Sequence, residues 1–203
     1  MTEPSTKPSG RAGQGLRDMV LSLAALLVVI GVIVGFMRGC SFSPGGPSVD
    51  EGSLPSVDAA AELRSAATRV DFPVRAVALP QGWRANAATV SPVGTGSTAT
   101  VAVRVGMITN AGHYLRLSQS NAPIPVLVVS EPGLDSDAPP NETGTQQAAG
   151  LTWTVYPGQP GEQTWIAKQG KVVFVISGAG TAAEKRTIAA AALSGAVLPT
   201  GRG

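Results

Sequence analysis

The sequence predicts an α+β protein: an N-terminal transmembrane helix, then one domain in which an antiparallel sheet of two hairpins is packed by an N-terminal and a C-terminal helix. Three observations carry this. Residues 19–37, MVLSLAALLVVIGVIVGFM, form an uncharged apolar run. Two later stretches alternate apolar and polar residues around short turns. Stripes of helical period flank those stretches on both sides.

The apolar run has nineteen residues, so as a helix it is about 28 Å long, close to the hydrocarbon thickness of a bilayer. Lys7, Arg11 and Arg17 precede it and Arg38 alone follows, which by the positive-inside bias orients the N-terminus to the cytoplasm and the domain outside. A cleaved signal peptide would have a shorter core and a small-residue cleavage site, whereas Arg38-Gly39-Cys40 follows here. Arg38 also makes a poor lipidation signal for Cys40, which as the only cysteine has no internal disulfide partner. Gly31 and Gly35 form a G-x-x-x-G pair on one helix face, a basis for a homodimer. The organisation expected is a cytoplasmic tail at 1–18, a transmembrane helix at 19–37, a flexible Gly/Pro/Ser linker at 38–56 and an extracytoplasmic domain at 57–198.

Each element of that domain follows from its pattern. At 57–70, Asp58, Glu62, Ser65 and Arg69 fall on one face opposite Ala59, Leu63, Ala66, Ala67 and Val70, an amphipathic helix with Ser56 as its expected N-cap, ended by Asp71-Phe72-Pro73. Residues 73–79 and 83–90 are weaker strand candidates around the turn LPQGW. Val101, Val103, Val105 and Met107 alternate with Ala102, Arg104 and Gly106; beyond Asn110-Ala111-Gly112, Leu115 and Leu117 continue the period, giving a hairpin. Residues 122–131 suit either a strand, by their apolar run, or a short helix entered through Pro123 and Pro125 after an Asn121 cap. Residues 132–150 read as a polar surface loop. Leu151, Trp153 and Val155 resume the alternation, and 164–168 with 171–177 make the second hairpin about Gln169-Gly170. Thr181 with Glu184 forms a capping box, and Ile188, Ala191 and Ala192 make the core stripe of a helix ending near Gly195. The helices are expected on one face of the sheet.

Composition excludes some functions. The net charge is +2, but Lys7, Arg11, Arg17 and Arg38 against Glu3 and Asp18 account for it, leaving eleven basic and eleven acidic residues in 41–203. A neutral domain without a Lys/Arg run offers no phosphate-neutralising face, so no nucleic-acid partner is expected. The turn Gly178-Ala179-Gly180-Thr181-Ala182-Ala183 fits G-x-G-x-x-A, the dinucleotide pattern. That fold needs its turn at the first βα junction, with a parallel strand and an acidic residue beyond; here the turn lies at the last junction. The glycines read instead as a strand reversing into a capped helix, and no cofactor is expected. His113, the only histidine, reads as solvated at a hairpin turn. Glu131, Asp135, Asp137 and Glu142 lack the regular spacing of a calcium loop and read as solvated, so no metal and no catalytic residue are assigned.

Several short motifs occur in order: RDMVLSL from Arg17, FPV from Phe72, LPQGWR from Leu79, GHYLRLSQSNAP from Gly112 and GLTWTVY from Gly150. Together they cover almost the whole chain, which resembles the actinobacterial domain-of-unknown-function family numbered 4245. The resemblance implies a membrane-anchored protein with one N-terminal span and an exported α+β domain. It brings no activity, cofactor or catalytic residue. It does suggest where a shared surface would lie: Trp83, Arg84, Tyr114, Gln119, Ser120 and Trp153. The expected function is a single-pass cell-envelope protein whose extracytoplasmic, non-catalytic domain binds an envelope protein or ligand. The alternatives are an exported hydrolase without a recognisable motif, and a regulatory or assembly factor acting through its membrane segment.

Overall fold

The computed structural model describes residues 12–36, 56–132 and 138–201, with the side chains of the first helix described at 17–30 and 32. The chain divides into two compact units, Met1–Asp50 and Glu51–Gly203. The first holds helix α1, Ala12–Phe36. Among the described residues no helix is long and apolar enough to cross a membrane. Cys40 and nearly all of the expected linker lie outside the described residues, as do the surroundings of Gly31 and Gly35.

The second unit is an α+β domain. Its seven strands are β1 (Arg84–Val93), β2 (Thr100–Ile108), β3 (Tyr114–Ser120), β4 (Gly144–Ala148), β5 (Leu151–Pro157), β6 (Gln163–Gln169) and β7 (Val172–Gly178). All neighbours are antiparallel, in the order β1-β2-β3-β7-β6-β5-β4. Two meanders, β1 to β3 and β4 to β7, therefore meet along the β3–β7 seam, where Leu117 pairs with Ile176.

Alternation sends each strand's residues to two different layers. One face carries Val103, Val105, Met107, Leu115, Leu117, Trp153, Val155, Trp165, Phe174 and Ile176, and forms the main core with helices α2 (Ala59–Ala67) and α4 (Ala182–Ser194). The other face is apolar only in part. There Ala102, Ile166, Val173 and Val175 pack under Leu127 and Val128 of the short helix α3 (Ile124–Ser130). The helices thus lie on both faces rather than on one, because β6 and β7 are apolar on both sides and the second side needs a cover as well.

Local differences from the sequence reading have physical causes. Helix α2 is capped by Asp58, whose carboxylate accepts from the backbone N–H of Ala60 (3.1 Å) and Ala61 (3.0 Å), so Ser56 is not the cap. Residues 122–131 are helical at their centre, with Pro123 at the N-cap position; Asn121 instead accepts from Thr100 Oγ1 at 2.7 Å and donates to Asp71 at 3.2 Å. Residues 73–79 do not join the sheet. They hold one bridge, Arg75 to Val197, flanked by Ala76 N–H to Ala196 O and Leu198 N–H to Val74 O. The polar segment 132–150 contains an additional strand, β4, which closes the far edge against β5.

Candidate functional site

The half of the second face that α3 leaves uncovered is polar, and its centre is an ionic network. The alternation that buries Val103, Val105, Leu115 and Leu117 in the core turns Arg104, Gly106, Tyr114, Arg116 and Ser118 to the opposite face. Register places Arg104 beside Ser118 and Gly106 beside Arg116. Helix α3 delivers Glu131 over them: its C-cap N–H donates to Leu127 O at 2.9 Å, and the residue is wholly buried.

The Glu131 carboxylate is saturated with donors. Arg104 meets Oε1 through Nη2 at 2.6 Å and Nε at 3.1 Å, and Nε is 3.3 Å from Oε2. Ser118 Oγ donates to Oε2 at 2.5 Å. Arg116 Nη2 donates to the Glu131 carbonyl, while Arg116 Nε stands 3.6 Å from Oε2, beyond hydrogen-bond distance. Two guanidinium groups against one carboxylate leave a charge of +1. These arginines border a hollow of about 270 Å³ whose lining includes Gly106, Tyr114, Thr89 and Ser130. The arrangement sets a surplus guanidinium charge beside the hollow.

Three of the six residues read as a shared surface are buried and structural, so they form no surface. Trp153 lies in the main core with Nε1 donating to Ala148 O at 3.1 Å. Gln119 holds the 73–79 segment reciprocally, Oε1 accepting from Arg75 N–H (2.8 Å) and Nε2 donating to Arg75 O (3.0 Å). Ser120 donates to Val101 O at 2.7 Å and accepts from Ala122 N–H at 3.1 Å. Trp83 is partly buried against the core. Arg84 and Tyr114 lie in one row across the sheet through Ile108, and Tyr114, 37% exposed, borders the hollow. Arg104, Arg116 and Glu131 are the residues that sequence reasoning missed. The signal was there for the arginines: each interrupts an apolar alternation at the same phase of a hairpin, which sets two cations on one face. Glu131, read as part of a solvated acidic loop, is instead their buried counter-charge. Among the described residues no cluster of His, Cys, Asp or Glu could hold a metal ion.

The glycine-rich turn has a defined role. A Cβ on Gly178 would strike the Tyr114 carbonyl oxygen, and one on Gly180 would come within 2.6 Å of the Leu115 side chain, so both glycines allow close approach to β3. The carbonyls of Gly178 and Gly180 accept from the buried Lys185 Nζ, at 2.8 and 2.5 Å. Burial lowers the Lys185 pKa, against the raising effect of Glu162 and Glu184. The helix N-terminus is filled by Glu184, which accepts from Thr181 N–H (2.7 Å) and Thr181 Oγ1 (2.9 Å). A turn that gathers a lysine with its carbonyls and already holds a carboxylate has no place for a phosphate. His113 is no free turn residue either: its Nδ1 lies 2.9 Å from Glu184 Oε2, with the imidazole 39% exposed. Burial raises the Glu184 pKa, but hydrogen bonds from Thr109, Thr181 and His113 outweigh it and bring it to about 2.

Comparison with known proteins gives one family: that described as "Protein of unknown function (DUF4245)" matches residues 11–192. No curated protein and no solved structure matches the chain.

Proposed function

The chain belongs to the DUF4245 family, proteins of unknown function, and from that premise we propose that it is a single-pass membrane protein presenting a non-catalytic binding domain on the outer side of the cell membrane. The observation that carries the reading is the surface of α1. Met19, Val20, Leu21, Leu23, Leu26, Leu27, Val28, Val29, Ile30 and Val32 are each between 47% and 67% exposed. Residues 26–30 are consecutive and span more than one turn, so the helix is apolar all round, and such a helix is stable where its surroundings are apolar. The uncharged run continues in sequence to Met37, which supplies bilayer length, and Lys7, Arg11 and Arg17 favour the cytoplasm for the N-terminus. A homodimer through Gly31 and Gly35 belongs to the same reading.

Binding rather than catalysis is the reading favoured by the buried ionic network of the second face, in which two guanidinium groups meet a single carboxylate beside an open hollow. The test is fractionation of the full chain carrying a C-terminal alkaline phosphatase. Retention in membranes after alkaline carbonate washing together with active phosphatase is the expected result. Release by carbonate, or an inactive reporter on a stable fusion, would overturn the anchored, exported arrangement.

A further inference from the structure

We propose that the hollow on the second face of the sheet is a binding site for the oxyanion group, phosphate or carboxylate, of a small hydroxylated ligand. This rests on the reading of the domain as a binding module and supplies the ligand class that reading lacks.

The charge argument comes first. Arg104 is locked onto Glu131 by its Nε and Nη2, so its guanidinium is held in place before any ligand arrives. Arg116 is the additional cation: its Nε is buried and has no hydrogen-bond partner, although Glu131 is near enough to attract it. Both arginines line the hollow with one carboxylate between them, and an oxyanion there meets the surplus positive charge with charge-assisted bonds. The fixed Arg104 means that little ordering entropy is spent on binding, which favours the bound state.

The second group of observations concerns the floor. Gly106 lies there without a side chain, and a Cβ on it would stand 2.8 Å from Asn86 Oδ1 and 3.0 Å from Tyr114 Oη. Residue 106 is glycine because Asn86 and Tyr114 pack closely over it, and that packing holds the Tyr114 hydroxyl at the edge of the hollow. Asn86, the extra residue at the β1 bulge between Ala85 and Ala87, buries Oδ1 with no donor to meet it. Tyr114, which does line the hollow, offers its Oη to a hydroxyl on the ligand. The volume, about 270 Å³, lies just below the usual range for drug-sized ligands and suits an anion on a short polyol chain.

The test uses the full chain in nanodiscs of zwitterionic phosphatidylcholine. Glycerol 3-phosphate and glycerate are titrated separately, with the arginine Nε–H resonances followed by NMR and with glycerol and sodium chloride as controls. Saturable movement of the Arg116 Nε–H signal by either anion, and not by the controls, is expected. Arg116→Gln should weaken binding about tenfold or more, and Tyr114→Phe, a milder change at a half-exposed side chain, about threefold. Nanodiscs containing phosphatidylglycerol separate the two sources of the anion. If they move the signal without added ligand, the group belongs to a lipid headgroup; if only the dissolved anion does so, it belongs to a soluble ligand. A linear response equal to that of matched sodium chloride, or full affinity retained in a folded Arg116→Gln variant, would overturn the site. The anchored-domain reading would then still stand or fall on the fractionation experiment alone.

Discussion

Glu131→Gln is the substitution that most directly probes the ionic network. The carboxylate it neutralises is wholly buried and offsets Arg104, whose side chain is 14% exposed, as well as part of the Arg116 charge. Removing one member of a buried pair leaves the other charge uncompensated, at about 3–5 kcal/mol. Glutamine keeps an oxygen that can accept from Arg104 or Ser118, which places the loss near the lower limit, about 3 kcal/mol. For a unit of this size each kcal/mol shifts the melting temperature by about 2–4 °C, so a drop of roughly 6–12 °C is expected. Thermal and denaturant unfolding followed by tryptophan fluorescence measures it, since Trp153 and Trp165 are fully buried and report loss of the core. The double variant Arg104→Met/Glu131→Gln separates charge from shape: the two losses should fall short of additive by about 2 kcal/mol, because the orphaned cation is gone. A single-variant loss under about 1 kcal/mol, or strict additivity, would show that the network is solvated and would refute the reasoning.

Other expectations follow from contacts already described. Because the folded-state pKa of Glu184 is about 2 against an ordinary 4.5, its contribution is complete above pH 4.5 and is lost as the pH falls toward 2. The formal value of about 3 kcal/mol is discounted to about 1–2 for a group beside solvent, and Glu184→Gln should flatten the acid limb of a stability–pH curve. Gly178→Ala should cost about 2–4 kcal/mol in denaturant titrations, since φ is +119° and the new Cβ meets the β3 backbone rather than a side chain that can turn away. Gln119→Leu strands the N–H and C=O of Arg75; a loss of about 2–3 kcal/mol is expected, with faster amide hydrogen exchange at Arg75 as the local sign.

Elements were legible where two signals agreed. Both hairpins combine period-two alternation with glycine turns, and Gly112 and Gly170 do have positive φ. Strand β4 was not legible: Gly144-Thr145-Gln146-Gln147-Ala148 is an edge strand with little apolar surface, held by backbone pairing to β5 and by a Gln147–Thr152 side-chain bond. The opposite error at 73–79 has the same origin, since apolar content there reflects core packing of Val74 and Val77, not sheet membership. The choice between helix and strand at 122–131 depended on a fact outside the segment, namely that β6 and β7 present a second apolar face. The site was half legible. Arg104 and Arg116 occupy positions that alternation alone puts on one face, whereas their partner lies 27 and 15 residues away in what reads as a solvated loop. The motif residues Gln119, Ser120 and Trp153 bind the chain's own backbone, whereas Tyr114 and Arg116 of the GHYLRLSQSNAP segment border the hollow, so one motif serves both the fold and the site.

The position of the seam has a consequence for the order of events during synthesis. β3 is complete once Ser120 has emerged, but its partner across the middle of the sheet, β7, ends only at Gly178, 58 residues later. At about 5–20 residues per second the first meander waits roughly 3–12 s with one edge of β3 unpaired. During that interval its Leu115 and Leu117 lack the strand that will cover them. The two meanders thus join into one sheet only when β7, the last strand, has arrived.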